Sequence, residues 1–262
     1  MIFLGPRPPK PKGLRSKTVK KTVRTLLRKV EKHQALTDQD FKRHWGKKDI
    51  RKALWQHHKK KCCYCERKRD RSREPDVEHF RPKGGVAEAS DHQGYWWLAY
   101  YWQNYLLACK LCNQAYKKNR FPLVDETQRS YSCRDKIVRE QPILINPINE
   151  DPELLITYSY LESLNMVKAI GWGIRGEMTV NQLTGINDPE VMEHRGQLLT
   201  GLNAIARSMT GAIMANNSEL IEIGRREIWE ATRPELEYVG FRRYYFRNRQ
   251  LGKYIYQEQD RT

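Results

Sequence analysis

Two short cysteine motifs, Cys62-Cys63-Tyr64-Cys65 and Cys109-Lys110-Leu111-Cys112, decide how this sequence folds. Each motif places two thiolates three residues apart, and together they supply the four sulfur ligands of a closed tetrahedral zinc site. Because four thiolates leave no position for water, the sequence predicts a structural Zn2+ that joins two parts of the chain. Cys63 and Cys133 lie outside this spacing, and we expect both to be buried or idle thiols.

The composition predicts a folded protein that binds a polyanion. The chain has 262 residues, with 48 Lys and Arg against 31 Asp and Glu, and therefore a formal charge of +17. Hydrophobic residues make up 39 % and aromatic residues 10 % of the sequence, which is too much for a disordered basic tail. Nucleic acid is the commonest partner of so much distributed positive charge. An acidic protein surface, anionic lipid or a basic surface kept for solubility are the alternatives.

The hydrophobic pattern predicts a cytoplasmic protein with no membrane partner. The first apolar run is only four residues long, which is too short for a secretory signal, and no later run approaches the length of a membrane span. In a reducing compartment the cysteines are expected to be thiols or metal ligands rather than disulfides.

The order of patterns predicts an α+β fold in four regions. These are a basic Pro-rich arm (1–15), an N-terminal helical segment (16–61), a core that contains the cysteine motifs (62–125) and a mainly helical accessory or partner-docking region (126–262). In the core we expect strands at 75–80 and 95–101, then a helix that begins near Cys112. Further expected strands are 143–145 and 155–160, and further expected helices are 188–213, 218–230 and 235–256.

The polar residues of the core resemble those of a known nuclease family. The segment Asp76-Val77-Glu78-His79-Phe80-Arg81-Pro82-Lys83, then Asn104, then Cys112-Asn113, resembles the HNH endonucleases, whose core is a ββα-metal motif. From about residue 62 to about residue 195, the chain also resembles the HNH nucleases of Septu-type and retron-linked bacterial antiphage systems. This resemblance rests on seven short motifs: Cys-Tyr-Cys-Glu, Glu-His-Phe-Arg-Pro-Lys, Trp-Leu-Ala-Tyr, Cys-Asn, Arg-Phe-Pro-Leu, Leu-Ile-Asn-Pro and Glu-Asp-Pro-Glu. The resemblance implies an ABC-type ATPase partner.

The resemblance also implies roles for individual residues. His79 would take the proton from the attacking water, and Glu78 and Asn113 would hold one catalytic Mg2+ or Mn2+ through hard oxygen ligands. Asn104 would position the loop around the base. Four basic residues are expected to contact the phosphates of the nucleic acid: Lys117, Arg120, Arg81 and Lys83.

Several alternatives stay open at the level of sequence. Adjacent residues on an ideal strand point to opposite faces, so Glu78 and His79 share a site only if the strand ends or twists there. Asp91 and His92 are candidates for contact with DNA or metal, although a solvated loop explains them as well. The Arg-rich aromatic tail at 241–249 either binds single strands or buries its aromatic face. At the level of function, DNA cleavage competes with RNA cleavage and with an inactive zinc-stabilised binding or scaffold module.

Overall fold

The computed structural model describes residues 1–68 and 76–257, and these residues form an α+β fold with two small antiparallel sheets. The strands are β1 (Asp76–His79), β2 (Tyr105–Ala108), β3 (Ile156–Leu161) and β4 (Met166–Gly171). The α-helices are α1 (Lys17–Glu31), α2 (Lys48–His57), α3 (Gly173–Met178), α4 (Pro189–Gln197), α5 (Leu199–Met214), α6 (Ser218–Ala231) and α7 (Val239–Arg247). Mixed helix and small sheet was the expected class.

The first sheet, a π-helix and the cysteine motifs are consecutive in the core region. β1 pairs with β2 so that Glu78 lies opposite Leu106 and His79 lies opposite Tyr105. The second cysteine motif begins directly after β2 and runs into a π-helix, Leu111–Lys117. Its wide turn is closed by the amide of Lys118, which donates to the carbonyl of Asn113 at 2.7 Å. The chain therefore turns from the sheet into a helix at the cysteines, as expected.

The second strand of the core was predicted at 95–101, but the structure has it at Tyr105–Ala108 as β2. Residues 95–101 form a 3-10 turn, in which the amides of Leu98 and Ala99 donate to the carbonyls of Tyr95 and Trp96. Tyr95 packs into one hydrophobic core and Trp96 into a second one. A turn buries neighbouring aromatic rings in two cores, whereas a strand of a two-stranded sheet would expose alternate rings. The expected first strand is confirmed at Asp76–His79. Pro75, its expected first residue, lies outside the described residues.

The N-terminal arm packs against the protein instead of extending away from it. Met1 and Ile2 are buried, and the amide of Leu4 donates to the carbonyl of Pro147 at 2.8 Å. The indole of Trp102 donates to the carbonyl of Pro8 at 2.9 Å. These contacts make the arm part of the fold, while its residues Lys10, Lys12 and Arg15 stay exposed.

The helices at the N terminus cover the aromatic core. α1 buries Val19 and Leu26, and α2 buries Ile50 and Leu54, beside Trp102. The opposite face of α1 carries exposed basic side chains, namely Lys17, Lys20, Lys21, Arg24 and Arg28. α1 thus packs one face on the aromatic core and leaves a basic face exposed.

The C-terminal half differs from the prediction in four respects. The helix that starts after the Asp188 cap breaks at Leu198 and becomes two helices, α4 and α5. The last expected helix, 235–256, is confined to α7. Residues 143–145 are buried without forming a strand, because their neighbours are loops that pair only in the bridge between Leu123 and Pro142. The hairpin strand β4 was not predicted at all.

In the part of the chain that the structure describes, no helix is long and apolar enough to cross a membrane.

Gly196 tests the packing of α4 against the β3–β4 hairpin. A Cβ atom added at Gly196 would lie 1.8 Å from the carbonyl oxygen of Asn165, which is backbone and cannot rotate away. We expect Gly196→Ala to lower the free energy of unfolding by about 1 to 3 kcal/mol, because the helix must shift off the hairpin. Chemical denaturation measures this change.

Gly211 is the matched control for that substitution. It lies in α5 with nothing within 4 Å of an added Cβ. Gly211→Ala should raise the free energy of unfolding by about 0.5 to 1 kcal/mol through helix propensity. Equal effects of the two substitutions would contradict the tight contact at Gly196.

Candidate active site and metal centre

The four cysteines of the two motifs come together in one buried cluster. Their ligand atoms all lie within 4.8 Å of one another, and Cys65 Sγ is 3.8 Å from Cys109 Sγ. Four sulfurs at about 2.3 Å from a tetrahedral Zn2+ are about 3.8 Å apart, so the cluster fits the ion. The amide of Cys112 faces Cys109 Sγ at 3.5 Å, as the backbone of such a turn does around bound sulfur. Cys62, Cys65, Cys109 and Cys112 are thus a buried group that can hold Zn2+.

The two remaining cysteines are separate from this cluster. Cys63 is buried, and burial raises the pKa of its thiol well above the usual value. Cys133 is exposed. Neither is among the four grouped cysteines, which agrees with the expectation from spacing.

A cleft of about 410 Å3 follows the edge of β1. In the described part of the chain β1 pairs with β2 alone, so its other edge is open to side chains from both faces of the strand. The cleft is lined by Arg43, Trp45, Asp76, Val77, Glu78, His79, Pro82, Lys83, Gly84, Asn113, Gln114, Lys118 and Asn119. Glu78, His79 and Asn113 therefore share one cavity, while Asn104 is not among its lining residues.

His79 is held in a single orientation within this cleft. Its Nε2 lies 3.0 Å from the carbonyl oxygen of Ala99, and the rings of Trp45 and Tyr105 pack against it edge-on at 4.9 and 5.0 Å between centroids. Because a carbonyl only accepts, Nε2 must carry the hydrogen, and Nδ1 keeps its lone pair. Burial lowers the pKa of His79 to about 3, so the ring is neutral at pH 7.

Glu78 points to the other face of β1, where it forms a buried ion pair. Its Oε1 is 2.6 Å from Lys117 Nζ, and the two side chains are 3 % and 0 % exposed. Lys117 Nζ also donates to the carbonyl oxygen of His79 at 3.1 Å. Burial raises the pKa of Glu78, and the nearby ammonium of Lys117 opposes that rise. The charge of Lys117 is buried against β1 and does not line the cleft, so its contact with phosphate stays a prediction.

Asn113 faces Asp76, a residue that the sequence argument missed. Asn113 Nδ2 donates to Asp76 Oδ2 at 3.2 Å, and Gln114 Nε2 donates to the same oxygen at 2.6 Å. The alternation of Asp76 with Glu78 along β1 was the available signal, since residues two apart on a strand share a face. The π-helix then brings the amides of Asn113 and Gln114 to that face.

Asn104 braces the loop after β1. Its Oδ1 accepts from the amide of Arg81 at 2.8 Å, and its Nδ2 donates to the carbonyls of Arg81 and Leu98 at 2.9 and 3.3 Å. The side chain is 3 % exposed. Asn104 thus fixes the loops on either side of His79 through backbone contacts.

Two further basic residues do not lie where phosphate contact was expected. Arg81 Nε donates to the buried carboxylate of Glu140 at 2.7 Å. One Nη of Arg120 donates to the carbonyls of Tyr116 and Gln182. Both guanidinium groups are bound within the protein and neither lines the cleft, so phosphate contact by Arg81 and Arg120 stays a prediction. Lys83 does line the cleft, and its Nζ lies 3.4 Å from Asp38 Oδ1.

The other two open candidates, Asp91 and His92, lie outside the cleft. His92 is buried, with Nε2 2.9 Å from the carbonyl of Ser130 and Nδ1 accepting from the amide of Gly94. Asp91 lies outside the cleft, beside the hydroxyl of Tyr131.

The Arg-rich tail buries its aromatic face. Phe241, Tyr245 and Phe246 of α7 are in the core, and Arg243 and Arg247 form ion pairs with Glu153. Of the two readings of 241–249, the structure matches the buried aromatic face.

Zinc content tests the cysteine cluster. We expect about one zinc ion per chain by elemental analysis, lost in Cys62→Ser and in Cys109→Ser because three thiolates hold the ion poorly. Both variants should also melt at a lower temperature, since metal binding contributes to folding. Cys133→Ser, at the exposed cysteine, is the control and should keep its zinc. Retention of zinc by both cluster variants would contradict the assignment.

Comparison with known proteins finds partial similarity to two Septu proteins of Bacillus mycoides (strain KBAB4). The chain is 36 % identical to Septu protein PtuB over 96 residues, which are 35 % of this chain and 32 % of PtuB. It is 30 % identical to Septu protein PtuA over 147 residues, which are 55 % of this chain and 20 % of PtuA. The similarity thus spans about a third and a fifth of these relatives. No family model and no solved structure matches the chain. The chain is therefore homologous, over part of its length, to proteins of the Septu system.

Proposed function

We propose that this protein is a metal-dependent HNH-type endonuclease that hydrolyses phosphodiester bonds of DNA. The observation that carries the proposal is the cleft along β1, in which an oriented, neutral His79 lies beside Asn113 and the carboxylates of the strand. An antiparallel hairpin followed by a helix, with the histidine on the first strand and the asparagine on the helix, is the order that the ββα-metal core requires.

In this proposal His79 takes the proton from the attacking water. Its Nε2 hydrogen is bound by the carbonyl of Ala99, so the accepting atom is Nδ1. The rings of Trp45 and Tyr105 keep the imidazole from rotating, and its neutral form is the one that accepts a proton. Asn104 holds the loops on both sides and keeps the base in place without touching substrate.

Asn113 and a carboxylate of β1 offer hard oxygen ligands for Mg2+ or Mn2+. Such a cation, when bound, polarises the scissile phosphate and stabilises the charge on the departing oxygen. The four-cysteine site has no open position, so zinc there would be structural.

Positive charge around the cleft supplies the contacts to the nucleic-acid backbone. Arg43 and Lys118 are exposed at the cleft and Lys83 is half-buried there, and these residues take the place of the buried Lys117. The exposed basic face of α1 adds a grip that does not depend on base sequence. The net charge of +17 supports a polyanionic substrate.

The similarity to the Septu proteins supports a role in antiphage defence. We propose that the nuclease works in a complex with an ABC-type ATPase and that the ATPase controls its engagement. Similarity to PtuA as well as PtuB supports a system with more than one protein component.

Cleavage by the purified protein tests the proposed reaction. With zinc-loaded protein and Mg2+ or Mn2+, with and without the ATPase, we expect cleavage of supercoiled plasmid, and His79→Ala should lower the rate by about 100-fold or more. His33→Asn is a matched control, because His33 is exposed, lies outside the cleft and has a positive φ that Asn tolerates.

Three outcomes would redirect the proposal. Equal cleavage by the wild type and His79→Ala would contradict the role of His79. Tight binding without cleavage, even with the ATPase, would favour an inactive zinc-stabilised binding or scaffold module. Cleavage of RNA but not of plasmid or single-stranded DNA would keep the chemistry and change the substrate.

Salt dependence tests the backbone contacts. The log of the association constant for duplex DNA should fall linearly with log salt concentration, and Arg43→Gln and Lys118→Gln should each reduce the slope by about one. Arg226→Gln on α6, exposed and outside the cleft, is the control and should leave the slope unchanged. Unchanged slopes for both cleft variants would contradict this interface.

A further inference from the structure

The carboxylate directly before His79 is engaged elsewhere in this protein. Glu78 Oε1 lies 2.6 Å from Lys117 Nζ, and neither side chain is more than 3 % exposed. Lys117 Nζ is also bound to the carbonyl oxygen of His79. A divalent cation bound to Glu78 would stand next to a buried ammonium, and Coulomb repulsion at that distance in a buried setting disfavours it strongly. Glu78 is therefore already paired with a positive charge, and that charge is Lys117.

The surroundings of Asp76 differ from those of Glu78, which is paired with Lys117. Asp76 lies two residues earlier on the same face of β1, is half-buried and lines the cleft. Among the described residues, its Oδ2 accepts from the neutral amides of Asn113 and Gln114, at 3.2 and 2.6 Å. Among the residues that the structure describes, no Lys or Arg forms an ion pair with Asp76. Asp76 is therefore a carboxylate at the cleft with no cationic side chain paired to it in the described part of the chain.

The groups around Asp76 form a donor set for a hard cation. Carboxylate and amide carbonyl oxygens are the ligands that Mg2+ and Mn2+ take from proteins, with water in the remaining positions. Asn113 and Gln114 each carry a carbonyl oxygen beside the amide nitrogen that meets Asp76. Three oxygen-bearing side chains thus meet at one end of the cleft, and His79 lines the same cavity.

We propose that Asp76, together with Asn113, holds the catalytic divalent cation, and that Glu78 is a positioning residue paired with Lys117. This inference rests on the proposed metal-dependent function. It assigns the metal-binding carboxylate to Asp76 instead of Glu78. The Glu78–Lys117 pair joins β1 to the end of the π-helix, and these are the two elements that carry Asp76 and Asn113.

Mn2+ binding to the zinc-loaded full chain tests this inference without reference to cleavage. The electron paramagnetic resonance signal of free Mn2+ gives the number of ions bound and their Kd. We expect about one Mn2+ per chain in the wild type and binding at least about tenfold weaker in Asp76→Asn, because a charged ligand is lost. Asp91→Asn, an exposed carboxylate outside the cleft, should bind Mn2+ as the wild type does.

Glu78 needs a paired substitution, because Glu78→Gln alone leaves the Lys117 charge buried without its partner. The double variant Glu78→Gln/Lys117→Gln replaces the ion pair with two amides, and zinc content together with circular dichroism reports whether it folds. We expect its Mn2+ affinity to stay within about threefold of the wild type. Lys117→Met together with Glu78→Leu provides a second, apolar replacement if the first double variant fails to fold.

The possible results separate this inference from the nuclease proposal. Loss of Mn2+ binding in the Glu78 double variants, with or without a similar loss in Asp76→Asn, would overturn the assignment to Asp76. Absence of any Mn2+ bound to the wild type beyond zinc would overturn both the site and metal-dependent cleavage. Mn2+ binding that depends on Asp76 in a protein that cleaves no nucleic acid would uphold the site and remove the nuclease function.

Discussion

The meeting of two distant cysteine pairs is the constraint on which the rest of the structure depends. Cys62 and Cys65 lie on one side of the hairpin, and Cys109 and Cys112 follow β2 directly and enter the π-helix. Closing the long loop between the two pairs costs conformational entropy, which a four-coordinate metal at these cysteines would offset on folding. A hairpin of four-residue strands is too small to be stable alone. The cluster thereby holds strand and helix together and gives the cleft its two walls.

Within that frame, the cleft is kept in shape by buried hydrogen bonds to backbone rather than by packing alone. The carbonyl of Ala99 accepts from His79 and from the hydroxyl of Tyr105, at 3.0 and 2.7 Å. Asn104 ties the loop at Arg81 to the turn that contains Leu98. Such a network has a single fully satisfied arrangement, because each unmet buried group is costly. The His79 imidazole is therefore held in one orientation by the protein itself, as the proposed role of this residue requires.

The parts of this structure that sequence could predict are those set by local chemistry. Cysteine pairs at ligand spacing predicted the four-cysteine cluster, and the helix expected from residue 188 begins as α4 at Pro189. The chain positions of His79 and Asn113 followed from a motif, and both line the cleft. The partner of Lys117 could not be predicted, because only the fold decides whether a long side chain turns inward to a carboxylate or outward to solvent. The aromatic run at 95–101 was read as a strand for a related reason, since a buried turn and a buried strand have the same hydrophobic pattern.

The wide turn of the π-helix also sets a limit on how this segment can vary. A π-turn holds one residue more than an α-turn, and Asn113 and Lys117 lie on the same seven-residue segment. Removing one residue between them would restore α-helical pitch and rotate everything that follows relative to the cysteines. The side-chain amide of Asn113 and the ammonium of Lys117 would then no longer reach the same face of β1 together. Related chains are thus free to exchange residues in this segment more readily than to change its length, and length is the property to compare when aligning them.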